Sequence, residues 1–203
     1  MNLLPLLFSI LLQMPCNYAS DEQLLFNGVS LDGWQVIDFE EHGKVSVADS
    51  CVILGTGSGI TGIKWVKDFP RKNYEVSLDA KRVDGSDFFC GMTFPVKESF
   101  CTLVIGGWGG SIVGLSCIDG EDAANNVTYD FRNFESNRWY SIRLKVTDTK
   151  IEAWIDKDKI VDFEIGNYQL SLRWETESSK PFGIATWQTT GALRKIKLNM
   201  IAE

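Results

Sequence analysis

Strict alternation of apolar and polar residues is the feature that most constrains this chain. Tyr74, Val76, Leu78 and Ala80 interleave with Glu75, Ser77, Asp79 and Lys81, the period of a strand that buries one face. Tyr140, Ile142, Leu144 and Val146 repeat the pattern against Ser141, Arg143 and Lys145, and Ile151, Ala153 and Ile155 follow as a hairpin partner. Turn residues punctuate these runs at Asp148-Thr149-Lys150 and at Asp156-Lys157-Asp158-Lys159, before Ile160 to Ile165. Phe88 to Val96, Thr102 to Ile105 and Ile112 to Ile118 are more continuously apolar, as central strands covered on both faces are. Phe182 to Trp187 and Leu193 to Ile201 supply the last two strands, joined through Thr189-Thr190-Gly191. About a dozen short strands with turn punctuation, and no long 3.6-residue stripe or internal repeat, predict an all-β, two-sheet antiparallel sandwich.

The N-terminus has a different character. Leu3 to Leu12 is apolar apart from Pro5 and Ser9, shorter than the roughly 20 residues of a bilayer span. It reads as a signal peptide over residues 1–19, cleaved near Ala19, although the first charge is Asp21 and a basic leading region is missing. Cys16 as a lipid-accepting cysteine is the alternative. Residues 20–203 then form a single domain, large enough for its own core. The formal net charge of −7 argues against a nucleic-acid or anionic-membrane partner by electrostatics; a carbohydrate fits better. Cys51, Cys90, Cys101 and Cys117 allow three disulfide pairings or four free thiols. No spacing matches a zinc motif, and the one histidine, His42, falls in the polar stretch Glu40-Glu41-His42-Gly43. Asn126-Val127-Thr128 matches a glycosylation sequon.

Several stretches together resemble one family. The decapeptide Leu25-Phe26-Asn27-Gly28-Val29-Ser30-Leu31-Asp32-Gly33-Trp34 is similar to the opening of 3-keto-disaccharide hydrolase domains. Asn73-Tyr74-Glu75-Val76, Gly85-Ser86-Asp87 through Gly91, Asn137-Arg138-Trp139-Tyr140-Ser141-Ile142 and Lys150 to Asp156 follow in family order. Phe182 to Gln188 and Leu193 to Lys197 resemble its closing strands, so the likeness runs over Leu24 to Ile201. It implies a concanavalin A-like jelly roll of the lectin/glucanase type, acting on sugars oxidised at carbon 3, in a protein that the N-terminal segment leads one to expect to be exported. Three departures stand out. Thr189 and Thr190 follow Gln188 where members carry a histidine, Phe94-Pro95 stands in place of an arginine, and Phe89-Cys90 replaces an asparagine-serine pair.

The reaction that the resemblance implies exploits the acidity that a 3-ketone confers on the hydrogen at carbon 2. It needs a base there, a positive or hydrogen-bond-donating group near the enolate oxygen, and an acid near the leaving oxygen. Arg82, Asp84 and Asp87 are the candidate catalytic groups, expected together at a mouth between two strands. Asp119, Glu121 and Asp122 form a second acidic loop; either cluster could instead hold a divalent cation such as calcium, and the metal is left unassigned. Gly106-Gly107-Trp108-Gly109-Gly110 strips side chains from around one indole, making Trp108 a candidate for stacking on a sugar or for plugging the sandwich end. Trp187 and Gln188 are the other candidate substrate-binding residues, while Trp34, Trp139 and Trp154 read as packing. Two functions remain open: a hydrolase acting on 3-keto-glycosides by elimination and hydration, and a lectin-like module that binds carbohydrate without cleaving it.

Overall fold

The computed structural model describes residues 22–202; the expected signal peptide and Cys16 lie outside the described residues. In chain order the strands are β1 (Glu22–Leu24), β2 (Trp34–Val36), β3 (Val45–Ala48), β4 (Cys51–Leu54) and β5 (Ile60–Trp65). Next come β6 (Tyr74–Gly85), β7 (Cys90–Val96), β8 (Ser99–Gly107), β9 (Ile112–Ser116) and β10 (Asp130–Phe131). The chain continues with β11 (Tyr140–Val146), β12 (Lys150–Ile155), β13 (Asp158–Glu164), β14 (Phe182–Trp187) and β15 (Thr189–Met200). One short 3₁₀ turn, Trp174–Ser179, precedes β14. Two antiparallel sheets form. The first runs β13-β12-β11-β6-β15-β4-β3, with β1 also on β15, and the second runs β10-β9-β8-β7-β14-β5-β2.

The predicted alternation is the observed one: Tyr74, Val76, Leu78 and Ala80 are buried in β6, and Ile142 and Leu144 in β11. They meet Met92, Phe94, Leu103, Ile105 and Ile184 of the second sheet in one core. In β15 a simple period-2 count from Leu193 would drive Lys195 and Lys197 inward. A bulge between Arg194 and Lys197 opposes two residues to Leu78 alone, with Lys195 at φ 54°. The phase shifts and Ile196 and Leu198 enter the core instead.

Three boundaries differ from the sequence reading. β6 continues to Gly85, so Arg82 and Asp84 belong to a strand and only the short link to β7 lies between strands. β9 ends at Ser116, and Ile118 makes isolated bridges to Glu121 and Leu170. β15 starts at Thr189, so the chain reverses at Gln188 alone, which takes φ 42°.

The second sheet is covered on its outer face as well. That face carries small residues, among them Gly91, Thr93, Gly114, Gly183 and Ala185, and the segment after β13 lies across it. Cys117 and Ser171 exchange backbone hydrogen bonds at 2.8 and 3.2 Å, and the Asp119 N–H donates to the Gln169 carbonyl. A Cβ on Gly183 would lie 2.6 Å from the Ser179 carbonyl oxygen, so glycine there lets the 3₁₀ turn sit directly on the sheet. The four cysteines of the domain are buried free thiols.

Candidate functional site

Between this covering segment and the second sheet lies a cavity of about 220 Å³. Gly91, Thr102, Val104, Ser116 and Ala185 of β7, β8, β9 and β14 line it, together with Ile60, Phe88 and Trp187. These positions follow from strand alternation: the neighbours of Val104, Leu103 and Ile105, point into the core, which leaves Val104 on the opposite face. Trp187 lies on the cavity side of β14, opposite in phase to Thr186, whose hydroxyl is buried without a partner. Asp87 and Trp108 border the cavity from the two adjacent loops, and Arg173, Glu175 and Thr176 from the covering segment.

The glycine-rich loop displays Trp108 with 41 % of its surface exposed and in the left-handed region at φ 49°. Two supports hold it there. The Asp87 carboxylate accepts the Gly109 N–H at 3.0 Å and its own neighbour's, Phe88, at 2.7 Å. From beneath, the Arg82 guanidinium donates to the Gly110 carbonyl at 2.8 Å and stacks over Phe89. A Cβ at Gly106 would lie 2.8 Å from Arg82 Nη2, and one at Gly110 2.6 Å from the Ser86 carbonyl. The run of glycines is therefore the consequence of a buried arginine and a backbone crossing.

Of the sequence candidates, Asp87, Trp108 and Trp187 are brought together at the cavity. Arg82 is 7 % exposed and faces inward below the loop; burial lowers its pKa and the nearby Asp87 works against that. Asp84 is exposed and pairs with Thr190 on β15. Gln188 donates its side-chain N–H to the Ser58 carbonyl at 2.8 Å and its backbone N–H to Gly59, fixing a neighbouring loop. None of these three lines the cavity. His42 is likewise away from it, its Nδ1 2.8 Å from the Gly43 carbonyl oxygen.

Sequence reasoning passed over Arg173 and Glu175. Arg173 Nε and Nη2 approach the two Glu175 oxygens at 3.3 and 2.9 Å, and Nη1 reaches Asp122 at 3.2 Å. A guanidinium has five N–H groups; three are used in this way, and the others remain for a ligand. Hydrogen bonding with Glu175 raises the Arg173 pKa against a lowering by burial, with help from the charges of Glu175 and Asp122. For Glu175, burial pushes the pKa up, but the Arg173 hydrogen bond and charge and a backbone hydrogen bond leave it below its ordinary 4.5. The carboxylate is thus ionised at neutral pH. Asp122 is the one member of the second acidic loop that reaches this cluster.

Within that loop Asp119 Oδ1 accepts the Gln169 backbone N–H, and the second oxygen of Asp122, Oδ1, accepts the Ala124 backbone N–H and the Asn125 side-chain amide. Among the described residues no group of three or more His, Cys, Asp or Glu is placed to hold a metal ion. The sequon asparagine, Asn126, donates its amide to the carbonyls of Leu115, Glu121 and Asp122 and accepts from Thr128. Its side chain is a brace for the loop beside β9.

The chain matches the model of the 3-keto-alpha-glucoside-1,2-lyase-like domain over residues 21–199 and belongs to that family. Among solved structures it is similar to a glycosyl hydrolase, described as putative, from Parabacteroides distasonis ATCC 8503, at 16% identity and a TM-score of 0.57, covering 89% of this chain and 94% of that one. A carbohydrate-binding module, CBM66 from Bacillus subtilis, shares 12% identity at a TM-score of 0.57, over 82% and 95% of the two chains. The Bacillus licheniformis β-glucanase shares 9% at a TM-score of 0.58, over 90% and 98%. At these identities the likeness is one of fold, the two-sheet jelly roll predicted from the sequence. No curated protein matches the chain.

Proposed function

We propose that the protein is an exported hydrolase that cleaves 3-keto-glycosides by elimination and hydration in the cavity between Trp108, Trp187 and the Arg173–Glu175 pair. The observation that carries this reading is the bidentate Arg173–Glu175 pair at a cavity bordered by two indoles. Apolar walls with a few convergent polar groups are the usual make-up of a small-molecule site. Trp108 and Trp187 stack on the sugar. Glu175, ionised, takes the proton from carbon 2; the electron pair passes into the enolate at the 3-ketone, whose negative oxygen the spare N–H groups of Arg173 stabilise. Collapse of the enolate forms the carbon 1–carbon 2 double bond and expels the glycosidic oxygen, which takes up a proton. Water then adds at carbon 1 and a proton at carbon 2, restoring the 3-keto sugar.

This moves the base from the Asp84 and Asp87 of the sequence reading to Glu175. Asp84 lies outside the cavity, and both Asp87 oxygens hold backbone N–H groups. A specific observation favours the non-catalytic carbohydrate-binding alternative: both Glu175 oxygens also carry hydrogen bonds, from Arg173. Incubation with a panel of 3-keto-glucosides and their unoxidised parents, with product analysis, decides. Release of the aglycone from the keto sugars alone supports the elimination; binding without product establishes the lectin-like reading. Export is tested by N-terminal sequencing of secreted material, expected to begin near Ser20, whereas an intact Met1 on cytoplasmic protein overturns it.

A further inference from the structure

The floor of the cavity carries hydroxyls that the elimination does not use. Thr93 of β7, Thr102 of β8 and Ser116 of β9 stand at paired positions across three neighbouring strands, and all three are buried. They face away from the core, because their strand neighbours Met92, Leu103 and Leu115 point into it. Thr102 and Ser116 line the cavity. The adjoining floor is built from Gly91, Ala185 and Val104, so packing on this face calls for small or apolar side chains and not for hydroxyls. A buried hydroxyl costs free energy unless it is hydrogen-bonded, and here part of that bonding capacity is left over.

Thr93 and Thr102 share a single hydrogen bond, Oγ1 to Oγ1 at 3.0 Å. Each hydroxyl has one hydrogen to donate, so the pair spends one and keeps one. Thr102 borders the cavity and Thr93 does not; the arrangement that strands no donor inside the sheet has Thr93 donating to Thr102 and the Thr102 O–H directed to the cavity. Ser116 has the Cys117 thiol as its side-chain partner, at 3.5 Å, and sulfur bonds weakly. The floor therefore offers two neutral hydroxyls with donor and acceptor capacity to spare, opposite a covering segment that supplies the charged Arg173 and Glu175. A neutral hydroxyl, which both donates and accepts, is the ligand group that matches them. We infer that Thr102 and Ser116 are specificity-determining residues that hydrogen-bond a hydroxyl on carbon 4 or carbon 6 of the sugar, since carbons 1 to 3 react on the Arg173–Glu175 side. This inference rests on the proposed function for the sugar and its orientation, not for its cleavage.

The test uses methyl 3-keto-glucoside with its 4-deoxy and 6-deoxy forms, binding being followed by calorimetry and cleavage by product analysis. Thr102→Val alone would leave the Thr93 hydroxyl buried without a partner, so the variant is the double one, Thr93→Val with Thr102→Val, which replaces both partners by apolar groups of the same shape and is expected to fold with little change in stability. It should bind the full keto sugar roughly three- to tenfold more weakly, the range of one neutral hydrogen bond, and Ser116→Ala should do the same. One of the two deoxy sugars should bind parent and double variant equally, because the hydroxyl that Thr102 would hold is already gone. Parent affinity of the double variant for the full sugar overturns the role of Thr102, and parent affinity of Ser116→Ala overturns that of Ser116. A weakening as large toward both deoxy sugars as toward the full one also overturns the inference, since it marks a distorted cavity and not a lost hydrogen bond. Cleavage by the parent alongside any of these results leaves the elimination standing without the floor. The expected pattern of binding with no product from the parent keeps the floor and removes the elimination, and a parent that binds none of the sugars removes both.

Discussion

One oxygen of the Asp87 carboxylate accepts the N–H of Gly109 at 3.0 Å, tying the link between β6 and β7 to the loop that presents Trp108. The other oxygen accepts the Phe88 N–H, so the side chain is an acceptor on both sides. In Asp87→Asn one of these positions becomes an NH₂ facing a backbone N–H, and a donor meets a donor. The variant is expected to lose about 1–2 kcal/mol of stability, the scale of a charged hydrogen bond at a partly exposed site, and to bind sugar more weakly through a loosened Trp108. Denaturant titration with ligand calorimetry checks this. A hundredfold loss of turnover with unchanged stability and affinity would instead return Asp87 to the role of base.

Gly110 is held at φ 105° where a methyl group would lie 2.6 Å from the Ser86 carbonyl and 3.1 Å from Arg82 Nη2. The backbone cannot yield without moving both neighbours. Gly110→Ala is expected to cost about 2–3 kcal/mol from the combination of left-handed strain and contact. Gly109, also at positive φ but with open space around its Cβ position, is expected to cost nearer 1 kcal/mol as alanine. Thermal unfolding of the two variants side by side tests the difference.

Trp108 is half-exposed and borders the cavity, so Trp108→Ala is expected to weaken sugar binding several-fold, at about 1 kcal/mol for lost stacking, without unfolding the domain. A large fall in melting temperature with unchanged affinity would mark it as a plug of the sandwich end.

The architecture was legible because period-2 burial is written directly into β6, β11 and β12. Even the bulge in β15 was implicit, since Leu193, Ile196 and Leu198 cannot share a face of a regular strand. The same count also explains a misplacement. Continuing inward from Tyr74 through Ala80 puts Arg82 on the core face, not at a mouth, and its position among turn-forming Asp, Ser and Gly obscured that. Trp108 and Trp187 were legible from their frames, one of glycines and one on a strand end. Arg173 and Glu175 were not, because the stretch from Gln169 to Lys180 has no strand alternation and its place over the second sheet depends on pairing with Cys117 and Asp119, far off in sequence. The visible signal was a tryptophan between opposite charges.

Burial decides the cysteine chemistry. Cys90 and Cys101 are fully enclosed, and burial pushes both thiols up to about 12, so almost no thiolate exists near neutrality. Thiol reagents at about pH 8, close to the ordinary cysteine pKa, are expected to leave these two unmodified in the native protein and to label them once denaturant is added. A reductant should leave the melting temperature unchanged. Rapid native labelling of Cys90 or Cys101, or a reductant-sensitive melting temperature, contradicts the four free buried thiols of the structure.

Glu175 ties the pH dependence to the site. Its pKa is depressed in the folded protein from an ordinary 4.5: burial pushes it up, but the Arg173 hydrogen bond, a backbone hydrogen bond and the Arg173 charge together outweigh that. A depressed carboxylate stabilises the fold fully above its unfolded value and loses that contribution as the pH falls through the folded one, so the window lies below about pH 4.5. Activity that uses the Glu175 carboxylate as base fails in the same window, giving an acid limb set below the ordinary glutamate range, while the neutral region stays flat. Glu175→Gln retains the shape but removes the base, and is expected to lose about a hundredfold or more in turnover of a 3-keto-glucoside. It should also remove the acid limb from whatever turnover remains, and leave Arg173 paired with Asp122. A Glu175→Gln variant that turns over at the parent rate, with the acid limb intact, places the base on another residue.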